Sequence, residues 1–332
     1  MAKVRIGLLG AGTMGAAHAA AYADVADASV VGVFSRDPAR ARAVAGRCNA
    51  EAFADATALI EHAGIDALDV CLPSALHHDV VVRALAAGKH VFCESPLALE
   101  LDEAERMRDA ARRADRLLQV GLLMRSVSAY QHVETVARSG EHGALLSIAT
   151  WRLGSYLRTD ARDRKAHYGD PSTELMTFDF DFIRWLMGTP RGLSASAART
   201  SQGSPGEISA LLDYDGGRHA TVIASGLLPP GSPFTVGFRV LFERAVFALS
   251  SVFENGPPRN TFTVTGDGKP PQPVVLADRN PYQVELQRFV DCIRGDADTT
   301  LLDVERAIEA LTLSKATQNA LLEGRSISFT SA

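Results

Sequence analysis

The first third of the chain alternates short apolar runs with amphipathic stretches. The runs are apolar at successive positions, which is typical of parallel strands buried on both faces, and the stretches repeat apolar residues at helical spacing. The runs lie at 4–9, 29–34, 68–71, 90–93 and 117–120, and the stretches at 12–22, 38–48, 77–87 and 100–114. Strands that alternate with helices in this way predict a doubly wound parallel sheet.

The pattern changes after residue 125, where one predicted helix is followed by runs in which apolar and polar residues alternate. Turns such as Asp215-Gly216-Gly217 separate neighbouring runs and favour hairpins. The helix is predicted at 128–139, the strands at 145–152, 193–198, 208–214, 219–225, 235–241 and 245–250, and two closing helices at 282–294 and 302–322. This part therefore predicts an α+β domain with an open, mostly antiparallel sheet.

Together these patterns predict an α/β protein of two domains. A dinucleotide-binding (Rossmann) domain is expected over 1–123, and an α+β domain for substrate binding and oligomerisation over 124–332. A length of 332 residues supports two domains, because single cores rarely grow beyond about 250–300 residues.

Charge and cysteine content exclude several classes of function. The net charge of −5 provides no basic surface for nucleic acid or for an anionic membrane. The four cysteines are far apart and form no Cys-x-x-Cys pair, which argues against a disulfide framework and against a zinc site. We therefore expect a cytoplasmic protein without a metal, and no nucleic-acid or membrane partner.

Residues 10–15 read Gly10-Ala11-Gly12-Thr13-Met14-Gly15 and match the pattern G-x-G-x-x-G. The pattern directly follows a predicted strand and opens a predicted helix, which is the context that gives it a mechanism. The first glycine permits the tight turn, the second lets the backbone approach a pyrophosphate, and the third allows the helix to pack on the strand. We expect a dinucleotide at the N-terminus of this helix.

The end of the second predicted strand favours NADP over NAD. An acidic residue there would bind the adenosine 2′-hydroxyl of NAD, but this chain has Ser35. Ser35 and Arg36 suit a 2′-phosphate, and Arg40 lies one turn further on. Asp37 weakens the argument, although an Asp before Pro38 is typical of a helix N-cap.

Several motifs together resemble the glucose–fructose oxidoreductase and inositol dehydrogenase family, often written Gfo/Idh/MocA. The resemblance runs nearly from end to end. It is carried by the glycine motif, by Leu72-Pro73-Ser74-Ala75-Leu76-His77, by Ala87-Gly88-Lys89-His90-Val91-Phe92-Cys93-Glu94-Ser95-Pro96-Leu97-Ala98, by Met124-Arg125, by Ser139-Gly140-Glu141 and by Arg184-Trp185-Leu186-Met187-Gly188. It implies cofactor contacts from Leu72, Pro73, His77, Glu94, Ser95 and Pro96, in addition to the glycine motif.

Two residues that manage the proton in this family are replaced. The family motif at 94–96 is usually Glu-Lys-Pro, whereas this chain has Ser95. A second motif pairs an Asp with a His four residues later, and this chain has Glu174 and Phe178 there. A positioned base or acid typically contributes about 10²–10⁴-fold to a hydride-transfer reaction, so another group is expected to serve.

Glu174 is the first candidate for that role because it stands at a substrate-site position of the family. Tyr168, His167 and Ser95 are further catalytic candidates. The candidates for substrate binding are Arg125, Arg152, Lys165, Phe178 and Asp179. Asp179 has an alternative role, which is to pair with an arginine such as Arg125 or Arg152.

These observations favour an NADPH-preferring reductase of a sugar-like or other small carbonyl or imine substrate. One alternative is an enzyme that retains its cofactor through a transient redox step, as in elimination or epimerisation. Another is a non-catalytic NADP-binding sensor or partner subunit. The resemblance also implies a homodimer or homotetramer formed through the C-terminal sheet.

Overall fold

The computed structural model describes residues 3–155, 167–254, 258–266 and 268–329. The chain forms two compact units. The first contains Met1–Val127 and Arg279–Ile308, and the second contains Ser128–Asp278 and Glu309–Ala332. The expected boundary after residue 123 lies close to the first crossing, but the assignment of Arg279–Ile308 to the second domain needs correction. The apolar stripe of a helix predicts that the helix packs, but not against which sheet.

The N-terminal segment of the first unit, Met1–Val127, contains eleven helices and strands. They are β1 (Val4–Leu9), α1 (Thr13–Ala21), β2 (Ala28–Phe34), α2 (Pro38–Cys48), β3 (Glu51–Phe53), α3 (Ala56–Glu61), β4 (Ala67–Val70), α4 (His77–Ala86), β5 (His90–Cys93), α5 (Leu101–Ala114) and β6 (Leu118–Val120). The strand order is β3-β2-β1-β4-β5-β6, and all neighbours are parallel. This confirms the doubly wound sheet, whose order reverses between β1 and β4.

The second unit is built mainly from the middle segment and the end of the chain. The middle segment contains α6 (Ser128–Ser139), β7 (Leu145–Leu153), α7 (Pro171–Glu174), α8 (Met176–Met187), β8 (Gly192–Arg199), β9 (Pro205–Asp213), β10 (His219–Ser225), β11 (Phe234–Phe242), β12 (Ala245–Phe253), β13 (Arg259–Gly266) and β14 (Gln272–Pro273). The last segment contains α9 (Pro281–Arg294), α10 (Val304–Glu323) and β15 (Ile327–Ser328). Helix α9 belongs to the first unit.

The sheet of the second unit has the order β14-β13-β12-β11-β7-β10-β9-β8-β15. Among its described neighbours only β7 and β10 pair in parallel, which confirms a mostly antiparallel sheet. Its buried face includes Ile148, Val222 and Phe238. The ring of Tyr130 from α6 lies 4.6 Å from Phe182 of α8 and 4.8 Å from Phe238, so these helices cover that face.

Within the described ranges, no helix combines the length and the apolar character needed to cross a membrane.

Candidate active site

The glycine motif forms the turn between β1 and α1, and each glycine has a different local reason. Gly10 has a φ of +110°, and a Cβ there would lie 2.3 Å from the carbonyl oxygen of Cys71. A Cβ on Gly15 would lie 1.9 Å from the oxygen of Gly10. Gly12 is the N-cap of α1, and a Cβ on it would meet no atom within 4 Å. The open space at Gly12 fits a pyrophosphate close to the backbone, with Thr13 and Met14 in the first helical turn.

Basic side chains lie at the end of β2, and the one acidic side chain there, Asp37, accepts backbone hydrogen bonds. One Asp37 carboxylate oxygen accepts hydrogen bonds from the N–H groups of Ala39 at 2.9 Å and Arg40 at 3.3 Å. This confirms Asp37 as the N-cap of α2. Arg36 is exposed, and Arg40 pairs with Asp37 at 3.3 Å. The hydroxyl of Ser35 accepts the Asp37 N–H at 3.3 Å.

His77 joins the loops that follow β4 and β5. Its Nε2 lies 2.8 Å from the carbonyl oxygen of Leu72, and its Nδ1 lies 3.0 Å from that of Pro96. Burial lowers the pKa of His77, which favours the neutral ring, and a neutral ring donates a hydrogen bond to only one of these two carbonyl oxygens. His77 therefore holds in place the loops that carry Pro73 and Ser95, both of which the resemblance assigns to the cofactor.

Ser95 contributes no proton-transfer group of its own to this edge of the sheet. Its hydroxyl is buried and has no hydrogen-bond partner among the described residues, and the peptide bond to Pro96 is cis. The Ser95 N–H donates to Glu94 Oε2 at 2.9 Å. The other oxygen of Glu94, Oε1, lies 2.9 Å from Nε2 of His18, an ion-pair contact that does not have hydrogen-bond geometry.

His18 is a buried residue of α1 that the sequence analysis did not identify. Its Nδ1 lies 2.9 Å from Oδ2 of Asp69 on β4, and Sγ of Cys71 lies 3.4 Å from the same nitrogen. Burial, the largest single influence, lowers the pKa of His18, but Asp69 and Cys71 together raise it well above its ordinary value. The raised pKa favours the protonated ring between the carboxyl groups of Asp69 and Glu94. A detectable signal was the position of His18 beside Gly15 and Ala19 on the buried stripe of α1.

Glu285 of α9 adds a third carboxyl group to this region. It is 1% exposed, and neither of its oxygens has a hydrogen-bond partner among the described residues. Burial raises the pKa of Glu285 well above its ordinary value, and the nearby carboxylates of Glu94 and Asp69 raise it further. Glu285 is thus expected to be a neutral acid at neutral pH. We call His18, Asp69, Cys71, Glu94 and Glu285 the buried acid cluster.

The second unit contains a different buried charge pair. Arg152 Nε lies 2.9 Å from Asp179 Oδ2, and the guanidinium carbon lies 4.8 Å from the centre of the Phe178 ring. Burial raises the pKa of Asp179 to about 6, although Arg152 pulls it down. The alternative that Asp179 pairs with an arginine is therefore confirmed, with Arg152 as the partner. Phe178 is covered by a cation and offers no acid or base.

The remaining catalytic candidates lie around α7. Glu174 is partly buried, and its Oε1 accepts the N–H of Gly169 at 2.7 Å. Tyr168 is 43% exposed, and His167 precedes it in the same segment. Lys165 lies outside the described residues. Arg125 belongs to the first unit and is 4% exposed.

Comparison with known families decides what these two units are. The family model described as "Oxidoreductase family, NAD-binding Rossmann fold" matches residues 4–122. The model described as "GFO/IDH/MocA C-terminal domain" matches residues 130–248. The chain belongs to the Gfo/Idh/MocA family. This confirms the resemblance drawn from the motifs, and it identifies a nicotinamide dinucleotide as the cofactor.

Individual relatives extend the match over the whole chain. An inositol 2-dehydrogenase of Rhizobium meliloti (strain 1021) is 29% identical over 98% of this chain and 99% of its own length. A dTDP-3,4-didehydro-2,6-dideoxy-α-D-glucose 3-reductase of Saccharopolyspora spinosa is 32% identical over 64% of this chain and 66% of its own length. The crystal structure of an aldose–aldose oxidoreductase from Caulobacter crescentus, complexed with glycerol, shares the fold with a TM-score of 0.87 at 19% identity, covering 98% of this chain and 100% of that one.

As a Gfo/Idh/MocA protein, the chain is an NAD(P)-dependent oxidoreductase. The glycine turn fits the pyrophosphate of such a cofactor, since the space beside Gly12 is open while Gly10 and Gly15 are required by the turn itself.

Proposed function

We propose that this oxidoreductase reduces a small sugar-like carbonyl or imine substrate with NADPH. The observation that carries the proposal is that neither position 95 nor position 178 presents an acid or base. Ser95 Oγ is buried without a described partner, and Phe178 lies under the Arg152 guanidinium. Oxidation of an alcohol requires a base to remove the hydroxyl proton, whereas reduction requires only a proton donor.

The end of β2 supports NADPH as the preferred cofactor. A carboxylate at this place would bind a 2′-hydroxyl and repel a 2′-phosphate. Asp37 is instead committed to capping α2, while Arg36 remains exposed beside Ser35. When bound, the cofactor would supply the hydride from the nicotinamide ring. The protein's share is to hold it with the glycine turn and to provide the proton.

The named relatives support a polyhydroxylated or sugar-like substrate. One is an inositol dehydrogenase and another is a reductase of a nucleotide-linked keto-sugar.

The test is NADPH consumption by the purified chain against a panel of keto-inositols, keto-sugars and cyclic imines, with NADH run in parallel. We expect turnover with at least one compound and higher kcat/KM with NADPH. Arg36→Ala should raise the Kd for NADPH about 10–100-fold, as loss of a charge-assisted phosphate contact predicts, and change that for NADH little. Arg42→Ala is the control, because Arg42 is an exposed arginine further along the chain, on α2.

Three outcomes would contradict the proposal. Equal or better use of NADH would remove the cofactor preference. Turnover without net change in nicotinamide absorbance, together with cofactor that co-purifies, would favour a lyase or epimerase. Tight cofactor binding without turnover of any compound would favour a sensor or partner subunit.

We also propose that the chain self-associates through the open face of the second sheet. Leu211 and Ile223 lie on that face and are 38% and 39% exposed. Apolar side chains exposed in this way are typical of interfaces between subunits. Ile223→Asp should shift the mass measured by light scattering towards the monomer, whereas an unchanged mass would contradict the proposed interface.

A reducing cytoplasm is the proposed location. Cys48, Cys71, Cys93 and Cys292 are all unpaired in the structure. Free thiols of this number persist more readily in a reducing compartment. Localisation of a fluorescent fusion in the source cell would test this.

A further inference from the structure

Glu94 connects the carboxyl edge of the first sheet with the buried acid cluster. It follows β5 directly, and its side chain is 11% exposed. Among the carboxyl groups of the cluster it has the greatest exposure, since Asp69 is 0% and Glu285 is 1% exposed. Gly121 leaves room for it, because a Cβ there would lie 3.0 Å from Glu94 Oε2. Ligands of doubly wound sheets bind at this edge, so Glu94 has one side towards a ligand and the other towards the cluster.

The cluster cannot hold all its charges at once. The carboxyl groups of Glu94 and Asp69 contact the imidazole of His18, and Glu285 interacts with it electrostatically. A buried negative charge is unfavourable unless it is paired with a positive one. His18 offsets two of them through its two ring nitrogens. Glu285 therefore keeps its proton. A set of acids that shares protons in this way can give one up and regain it without a large rearrangement.

We propose that Glu94 is the proton-transfer group of this enzyme, and that His18, held by Asp69, is the positioning residue that returns a proton to it. The proposal rests on the proposed reductase function, and it replaces Glu174 as the first candidate. Glu94 has a direct contact to a protonated imidazole, whereas Glu174 has one oxygen bound to a backbone N–H.

The proton step balances as follows. The Nε2–H bond of His18 would break and its proton would pass to the Glu94 carboxylate, which becomes a carboxylic acid. The hydride that the cofactor would supply reaches the carbonyl carbon, the carbon–oxygen π bond breaks towards oxygen, and the oxygen takes the proton from Glu94, which returns to a carboxylate. His18 is left neutral, still hydrogen-bonded to Asp69 through Nδ1, and solvent restores its proton.

A metal ion is the competing occupant of the same place. Atoms of His18, Asp69 and Cys71 lie within 4.8 Å of one another, close enough to surround an ion. Both ring nitrogens of His18 already face carboxylates, however, and burial raises the pKa of the Cys71 thiol well above its ordinary value. Proton sharing therefore accounts for the contacts without a metal.

The first experiment compares Glu94→Gln with Glu174→Gln on the best substrate of the panel. Glu94→Gln should lower kcat about 10²–10⁴-fold, the usual contribution of a positioned acid, and this loss should be much larger than any rise in the Kd for NADPH measured by fluorescence. Glu174→Gln should change mainly KM. A kcat for Glu94→Gln within threefold of the parent would overturn the proposal.

The second experiment separates positioning from simple structural support. In the unmodified protein, the pH at which the reduction rate decreases should be the pH at which His18 loses its proton. The ring is enclosed by Asp69 from β4, Cys71 directly after β4, Glu94 after β5, Glu285 and Tyr282 from α9, and Tyr22 after α1. In His18→Gln only carboxyl groups remain to carry the proton, so this fall should move to lower pH by at least about one unit. His90→Gln, at the opposite end of β5, should leave the profile unchanged.

A third measurement does not depend on turnover. Nitrogen-15 NMR of labelled histidine should show both His18 nitrogens protonated at pH 8, and Asp69→Asn should lower the midpoint of the titration. A neutral His18 at pH 7, or one equivalent of zinc in the purified chain, would overturn the proposal. Absence of turnover in the parent would contradict the proposed function alone, and the NMR result would then decide the state of the cluster.

Discussion

Both units bury charge beside a sheet, but they do so with different chemistry. In the first unit, an imidazole lies between two carboxyl groups with a third carboxyl group nearby, and all of these groups belong to side chains that exchange protons. In the second unit, Asp179 pairs with a guanidinium, which keeps its proton throughout this range. The difference separates an arrangement suited to moving protons from one that fixes a positive charge beside Phe178.

The largest expected change in the free energy of unfolding follows from removal of the Arg152 guanidinium. Arg152→Gln would leave Asp179 buried without its partner, which should lower the free energy of unfolding by about 3–5 kcal/mol. The loss should be greater at pH 8 than at pH 5, because the orphaned carboxyl group must hold a proton. Urea unfolding at both pH values measures this.

Two variants serve as controls for that prediction. Arg259→Gln removes an ion pair with Glu254 in which the side chains are 72% and 52% exposed, and should cost less than about 1 kcal/mol. The double variant Arg152→Met with Asp179→Leu should recover most of the loss, since no charge is then left unpaired. Equal losses for Arg152→Gln and Arg259→Gln would show that the buried pair is not special.

The next largest effect is the pH dependence of stability that the buried carboxyl group of Glu285 causes. The pKa of Glu285 is raised in the folded chain, so above pH 4.5 the folded state holds a proton that the unfolded state has lost. Stability should therefore fall as pH rises through this window, by at most about 1.4 kcal/mol per pH unit, until the folded pKa is passed. Glu285→Gln should lack this decline in urea unfolding from pH 5 to pH 8.

Glu61→Gln is the matched control for Glu285→Gln, because Glu61 is exposed on α3. It should leave the pH dependence of the parent in place. A Glu285→Gln variant whose stability declines as steeply as that of the parent would show that Glu285 is not the group responsible.

The smallest expected effect is at Tyr130 in the second unit. Its hydroxyl is buried and has no described hydrogen-bond partner, while its ring packs on Phe182 and Phe238. Tyr130→Phe should be neutral or stabilising by up to about 1 kcal/mol, since an unsatisfied polar group is removed and the packing is kept. A loss above 1 kcal/mol in thermal unfolding would indicate a hidden partner, such as water.

Much of the fold could be predicted because the relevant signals are local. The bounds of α2, β5, α6 and β10 coincide with the predicted ranges. Strand β3 was missed because its three residues are largely exposed and carry no apolar run. The return of α9 to the first unit could not be predicted, because periodicity along one helix contains no information about its partner.

The candidate site also contains features that the sequence predicts and features that it does not. The glycine turn and the Asp37 cap were predictable, since each depends on residues adjacent in the chain. The buried acid cluster was not, because His18, Asp69, Glu94 and Glu285 are brought together from four separate elements. Arg152 and Asp179 were named as possible partners, but only the fold shows that the guanidinium also covers Phe178.

The return of α9 has a consequence for biosynthesis. The first unit begins at the N-terminus, but Phe289 of α9, whose ring lies 5.5 Å from that of Phe92, is translated only after the whole of 128–278. A ribosome therefore exposes β1 to β6 and α1 long before their covering helix emerges. Because domains usually fold as units during synthesis, the nascent chain must wait with that apolar surface open, where a chaperone can bind it.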